Sequence, residues 1–183
     1  MTVEWFKNRF KTDQGAEHDG SMTPKNKIEA ATWEKDPAKL HAYLDDPDVN
    51  VQCAATRNPN VTKENLDKAL DIKDYRVSRY VAMHKNASKE HIDRALNDSS
   101  CYVRAVAAKN PNATKEHIDK AMNDDNPDVR WAAIEHPNAT KEQIDKALGD
   151  EDHFVRGAAT INSVYKQHYP NGHTIVNGKV VAK

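Results

Sequence analysis

The chain has 183 residues, 30% of them charged, and its 27 Lys and Arg against 28 Asp and Glu leave a formal net charge of −1. That balance excludes bulk attraction of the whole molecule to a polyanion, and two cysteines are too few for a disulfide framework. With no signal peptide and no long apolar run, the expectation is a soluble protein of a reducing compartment, the cytoplasm, without a membrane span.

Val3, Phe6 and Phe10 fall on one face of a short basic helix expected over Met1 to Lys11, with Trp5 beside it, and Thr12 to Met22 reads as a polar linker. Two roles stand for this helix: part of a cap, or a detachable docking helix for a partner or membrane surface. Thr23 and Pro24 then read as N-cap and first helical residue of a helix through Trp33, placed to cover the exposed face of the first repeat.

The repeat itself has a fixed period. Thr62-Lys63-Glu64, Ser88-Lys89-Glu90, Thr114-Lys115-Glu116 and Thr140-Lys141-Glu142 are successively 26 residues apart, as are Val51, Val77, Val103, Val129 and Val155. A period of this size marks a stacked array in which no unit buries its apolar face alone. The expected fold is all-α, a right-handed α-solenoid of about five two-helix units over residues 23–165.

In each unit the first helix starts at a Thr or Ser N-cap and carries apolar residues at one helical face: Leu66, Ala69 and Leu70, then Ile92, Ala95 and Leu96, Ile118, Ala121 and Met122, Ile144, Ala147 and Leu148. On the opposite face Glu64 and Lys68, Glu90 and Arg94, Glu116 and Lys120, Glu142 and Lys146 are spaced for i, i+4 ion pairs along one helix. The second helix starts at Asp48, Asp74, Ser100, Asn126 or Asp152 and buries residues such as Val77, Tyr80, Val81 and His84, or Val129, Ala132, Ala133 and His136. It stops at Asn58-Pro59, Asn110-Pro111 and His136-Pro137; where Lys85 replaces that proline, a longer second helix is expected.

The string from Val129 to Asn138, followed by Thr140 to Leu148 and Asp150, resembles the leucine-rich repeat variant family. The resemblance spans about residues 36–165 and is weakest in the first unit, where Asp36-Pro37 replaces the Thr-Lys start and Tyr43 an alanine. It implies a HEAT-like superhelix and no enzymatic activity. Some members carry an iron–sulfur cluster on an added cysteine-rich segment; Cys53 and Cys101 alone cannot ligate one, so no cofactor is expected.

Residues 166–183 form the C-terminal element. Thr174-Ile175-Val176, Asn177-Gly178 and Lys179-Val180-Val181 spell a hairpin with a type I′ turn. Two strands alone are marginal in water, so the hairpin is expected to dock on the last unit, to pair with another chain such as a second copy, or to fray.

Stacking needs only the shared positions, so positions that vary point to function. On the second helices an outward stripe holds Tyr75, Arg76, Arg79 and Met83, then Tyr102 and Lys109, Trp131, Ile134 and Glu135, and His153, Phe154 and Ile161. This composition suits a protein-binding surface, and the partner-binding residues expected are Tyr75, Arg76, Arg79, Met83, Tyr102, Trp131, Ile134 and Phe154. The alternative is that several of these aromatics pack between units. Arg104, Arg130 and Arg156 recur beside the buried valine and allow two readings: a structural ladder to acids such as Asp124 and Asp150, or, with Arg76 and Arg79, a stripe that tracks a nucleic-acid backbone. Catalysis has little support. His91 and His117 share a first-turn position with Asn65 and Gln143, as a capping position would, and no metal-ligand spacing accompanies them. The expected function is a non-enzymatic scaffold for a protein partner, with nucleic-acid binding or a structural role in a larger assembly as alternatives.

Overall fold

The computed structural model describes residues 22–176 and 179–183; the helix expected over 1–11, most of its linker and the Asn177-Gly178 turn lie outside the described residues. Among the described residues the elements are α1 (Pro24–Trp33), α2 (Pro37–Tyr43), α3 (Val49–Arg57), α4 (Lys63–Asp71), α5 (Tyr75–Met83), α6 (Lys89–Ala95), α7 (Cys101–Ala108), α8 (Lys115–Ala121), α9 (Pro127–Ile134), α10 (Lys141–Leu148), α11 (His153–Ile161), α12 (Ser163–His168), β1 (His173–Val176) and β2 (Lys179–Ala182). The even-numbered helices α2 to α10 are the first helices of the units and the odd-numbered α3 to α11 the second. None is long and apolar enough to cross a membrane.

Short-range chemistry sets these bounds. The Thr or Ser before α4, α6, α8 and α10 accepts the N–H of the residue three further on, and that residue's side chain accepts the cap's own N–H, closing a capping box in all four. The five expected second-helix N-caps are all in place, four of them with a side-chain bond; Ser100 makes none. Lys85 does not lengthen α5, which ends at Met83 like its proline-stopped neighbours. His84 takes an extended backbone there because its ring is held by Asn58 O and Asn86 N–H. The last second helix ends short of Tyr165. It stops at Ile161, and Asn162 caps both its end and the start of α12.

Within the repeats each helix packs on its sequence neighbours and on the equivalent helix one unit away, which is what makes the array quasi-linear; at the end, α10 also meets α12 and β2. The second helices pack closely on one another and bury small side chains such as Ala54, Ala82, Ala107, Ala132 and Ala158, while the first helices meet one another less. Helix α1 packs on α3 as one second helix packs on the next, so it serves as the second helix of a unit lacking its first. The core falls into two buried clusters that divide at α5, between Val81 and Ala82.

Polar ladders lock the stacking. At the end of the second helices Asn58, His84, Asn110, His136 and Asn162, spaced 26 apart, alternate Asn and His, and all are buried. The amides of Asn58, Asn110 and Asn162 donate to carbonyls ending the preceding second helix, at 2.7–2.8 Å for Ala31, Ala82 and Ile134. The imidazoles do the corresponding work. Nδ1 of His84 accepts Asn86 N–H (3.1 Å), which leaves the proton on Nε2 to donate to Asn58 O (3.2 Å), and His136 repeats this with Asn138 N–H and Asn110 O. Both side chains present an acceptor and a donor a few ångströms apart, so either type fits the position.

Burial pushes the His84 imidazole below the ordinary value of 6.5, against its bond to Asn58 O, because the cation is the form that loses solvation. The unfolded chain therefore takes up this proton before the folded one does. The stability tied to neutral His84 is complete above 6.5 and is lost as the pH falls below it. His84→Asn, the residue of the neighbouring rungs, should reduce the fall in Tm between neutral pH and about pH 5. Equal Tm-versus-pH curves for wild type and variant would remove His84 from the acid response.

A second ladder joins the first helices. Asn65, His91, His117 and Gln143 close the capping boxes and also reach back one unit: His91 Nε2 donates to Asp67 (3.0 Å), His117 Nε2 pairs with Asp93 (3.2 Å) and Gln143 donates to Asp119 (2.7 Å). The next residue in this series, 26 after Gln143, is Tyr169. Its hydroxyl donates to Asp145 (2.5 Å) and accepts from Lys141 (2.9 Å). Tyr169 is buried and forms the last rung although it ends α12 instead of lying in the first turn of a sixth first helix.

The hairpin pairs His173 with Ala182, Thr174 with Val181, Ile175 with Val180 and Val176 with Lys179, antiparallel. Val180 packs against the core of the last unit, whereas Ile175, Val176 and Val181 stay exposed. The expected docking of one face on the end of the array is thus observed, and the other face is uncovered in this single chain.

Candidate binding face

The varying stripe and the recurring ladders lie on different sides of the second helices. Tyr75 (54% exposed), Met83 (51%), Tyr102 (69%), Trp131 (36%), Phe154 (68%) and Ile161 (65%) all project outward from α5, α7, α9 and α11. Among the described residues of α2 to α11, these are all the exposed large apolar side chains, and the first helices contribute none; Trp33, at the end of α1, is also exposed (69%). Arg76, Arg79, Lys109, Glu135 and His153 are exposed on the same layer.

Ile134 does not belong to this surface. It is fully buried, at the position occupied by buried Ala82 and Ala108 in earlier units: three residues on from Trp131 its side chain is offset by about 60° round the helix, which is enough to leave the exposed face for the core cluster. Tyr80 is the converse correction. Expected on the buried side, it is half-exposed, and the guanidinium carbons of Arg57 and Arg79 lie 5.1 and 5.5 Å from its ring centroid. Arg57 stands 26 residues before Met83, on the same outward register, and that spacing is the signal that places it on this face.

The stripe residues gather into two adjoining hollows. Tyr75, Arg79, Ser99, Ser100, Tyr102, Ala105 and Val106 line a groove of about 940 Å³ between α5 and α7. Arg57, Pro59, Arg79, Tyr80, Met83, His84 and Lys85 line a smaller one of about 350 Å³ toward α3. Arg79 borders both. Further along, Lys109 Nζ sits 4.0 Å from the Trp131 ring centroid and pairs with Glu135 at 2.6 Å, so the indole carries a cation on its face and a rim of charge. Phe154 lies against the ring of its neighbour His153, centroids 4.0 Å apart.

The three repeat-related arginines are structural in two units. Arg104 grips Asp124 through Nε and Nη2 (2.7 and 2.9 Å), and Arg130 grips Asp150 in the same way (2.9 Å each). Each also ties down two loop carbonyls through Nη1. Arg156 makes the carbonyl bonds, but the position 20 residues on, which supplies the acid in the other two, is Val176. Of the remaining cations expected in a basic stripe, Arg76 is held by its own helix cap Asp74 (2.8 Å) and only Arg79 lacks an ion pair among the described residues.

No protein-family model matches the chain, and no curated protein does either.

The outer side of the first helices is arranged differently from the expectation. The four Glu–Lys or Glu–Arg pairs do not close along one helix. Instead the acids turn to the helix start: the backbone N–H at Glu64 and Glu142, and the Ser or Thr hydroxyl at Glu90 and Glu116, hold these carboxyls below their ordinary range. The bases reach back one unit, Lys68 to Asp45 (2.6 Å), Arg94 to Asp71 (2.7 Å) and Lys146 to Asn123. Exposed pairs of this kind contribute little individually, up to about 1 kcal/mol.

Cys53 is half-buried near Arg76, Arg57 and Arg79, and burial pushes its thiol up despite those charges, which leaves it the weaker nucleophile. His91 and His117 sit in the capping boxes as the cap position implied. Among the described residues no three His, Cys, Asp or Glu side chains gather as a metal-ligand set.

Proposed function

We propose that this protein is a non-enzymatic repeat scaffold, of the leucine-rich repeat variant type, that binds another protein through the outward face of its second helices. One observation carries the reading: every exposed large apolar side chain of α2 to α11 lies on that layer, interleaved with Arg, Lys and Glu, while the first helices expose none. Aromatic, Met and Arg side chains at the centre of a patch with a charged rim are what distinguish contact surfaces from ordinary surface. The nucleic-acid alternative is weakened because Arg104 and Arg130 are tied to Asp124 and Asp150 and cannot also serve a phosphate track.

The test is capture of partners from a nuclease-treated lysate by the wild-type chain beside a Tyr102→Ala, Trp131→Ala variant. The variant should lose about 2 kcal/mol or more in affinity for any captured protein, roughly a thirtyfold rise in Kd. Its Tm should change little, since both side chains are exposed. A large drop in Tm with undiminished capture would place these aromatics in packing between units; capture abolished by nuclease would favour nucleic acid.

A further inference from the structure

We infer that the partner docks an acidic peptide segment on the α3–α5–α7 part of this face, with a carboxylate-bearing stretch at Arg57, Arg79 and Lys85 and a large apolar side chain in the groove between Tyr75 and Tyr102. This inference rests on the protein-binding reading and adds the chemistry of the segment bound.

Charge complementarity supports it. On the second-helix layer Arg76, Arg104, Lys109 and Arg130 each pair with an acid, whereas Arg57, Arg79 and Lys85 form no ion pair among the described residues. They line one hollow, and no Asp or Glu lines either that hollow or the groove beside it. The two guanidiniums lie near the Tyr80 ring, which fixes planar, bidentate donors at a surface position without consuming them on a carboxylate. A ligand carboxylate is the missing counterpart.

The groove supplies the second half. Its lining is apolar apart from Ser99, Ser100 and the shared Arg79, and its volume of about 940 Å³ admits a large aromatic or aliphatic side chain with its flanking backbone. Arg79 links the two hollows, so one short extended segment reaches both.

Two features favour a peptide over a nucleic-acid strand. A strand needs cations repeated along its track, and here the two equivalent faces after α5 present Lys109 paired with Glu135, and Asp128. The net charge of −1 also gives a polyanion no long-range attraction.

The experiment is a fluorescence-anisotropy titration of the full chain with four labelled probes: a peptide of one tryptophan flanked by glutamates, its lysine counterpart, its alanine-for-tryptophan counterpart, and single-stranded oligothymidine. The acidic tryptophan peptide should bind saturably below about 1 mM and at least tenfold more tightly than each of the others. Arg57→Glu and Arg79→Glu should each weaken it at least tenfold, and Tyr102→Ala should weaken it while leaving salt dependence unchanged. Arg94→Glu, which alters a first-helix cation on the other layer, should have no effect and controls for net charge. No saturable binding of the acidic peptide, equal binding of the lysine peptide, tighter binding of oligothymidine, or indifference to Arg57→Glu and Arg79→Glu would each overturn the inference. A captured protein partner lost with Tyr102 and Trp131 but unaffected by the arginine reversals would overturn the acidic anchor and leave the binding face standing.

Discussion

Arg130→Met should lower stability by about 3 kcal/mol, because it leaves a partly buried carboxylate without its partner. Arg130 is 8% exposed and supplies both bonds to Asp150 together with those to the Asp124 and Asp125 carbonyls, so one guanidinium fastens α9 to the loop before it and to the unit after it. Methionine fills much of the volume but offers no donor. Asp150 would then keep only its bond from Asp152 N–H. Burial pushes the Asp150 carboxyl up, but the Arg130 bonds and that N–H outweigh it and hold the group below its ordinary 3.8. Its contribution is therefore complete above 3.8 and lost as the pH falls below it, and Arg130→Met should remove most of that acid dependence. Adding Asp150→Asn, which removes the charge and keeps the acceptor, should recover about 1 kcal/mol or more. Arg156→Met should cost less, since Arg156 bonds carbonyls and no carboxylate. Urea unfolding of the four proteins decides it: a shift of less than about 0.5 kcal/mol for Arg130→Met would show the ladder to be dispensable.

Tyr169→Ala should cost a further large amount, again about 3 kcal/mol, by removing a buried aromatic ring from the end of the array. Tyr169 takes the place of a sixth first-helix rung and is wedged among α10, α12 and His173, its ring centroid 5.3 Å from that of Tyr165. Tyr169→Phe retains the ring and loses only the hydroxyl, at a cost of about 1 kcal/mol, because Asp145 keeps Lys141. Burial first, then the bond to Asp145, push the phenol above its ordinary 10, with Lys141 pulling the other way. The stability tied to the protonated phenol is thus full below pH 10 and lost as the pH rises past it. Wild type should lose Tm in that range more steeply than Tyr169→Phe. Thermal unfolding of the three proteins from neutral to alkaline pH tests this, and a Tyr169→Ala variant as stable as wild type would show that the array needs no rung there.

Much of the fold was legible because its determinants are local. A Thr or Ser N-cap with its partner three residues on, a proline in the first turn and a valine recurring every 26 residues are read without knowing where anything else lies. The stripe was legible for the same reason: Tyr75, Tyr102, Trp131 and Phe154 follow from helical geometry once the buried valine is known. Ile134 failed because the stripe was extended one position too far round the helix, where the core of the next unit closes over it. The Glu–Lys pairs failed because a spacing of four shows that two side chains can meet and does not show what else competes for them.

The sequence by itself determined the helices, their period, their caps and therefore the solenoid, since each rests on bonds spanning two to four residues or on a simple repeat. The tertiary structure decided the partnerships across units: Asn and His interchanging at one rung, Arg104 and Arg130 taking acids 20 residues away, and Tyr169 continuing a series whose local surroundings are no longer a repeat. Those choices depend on the distance and direction between stacked helices. Only when the units are in place does a side chain either reach an acid, as Arg130 does, or remain free at the surface, as Arg57 and Arg79 do.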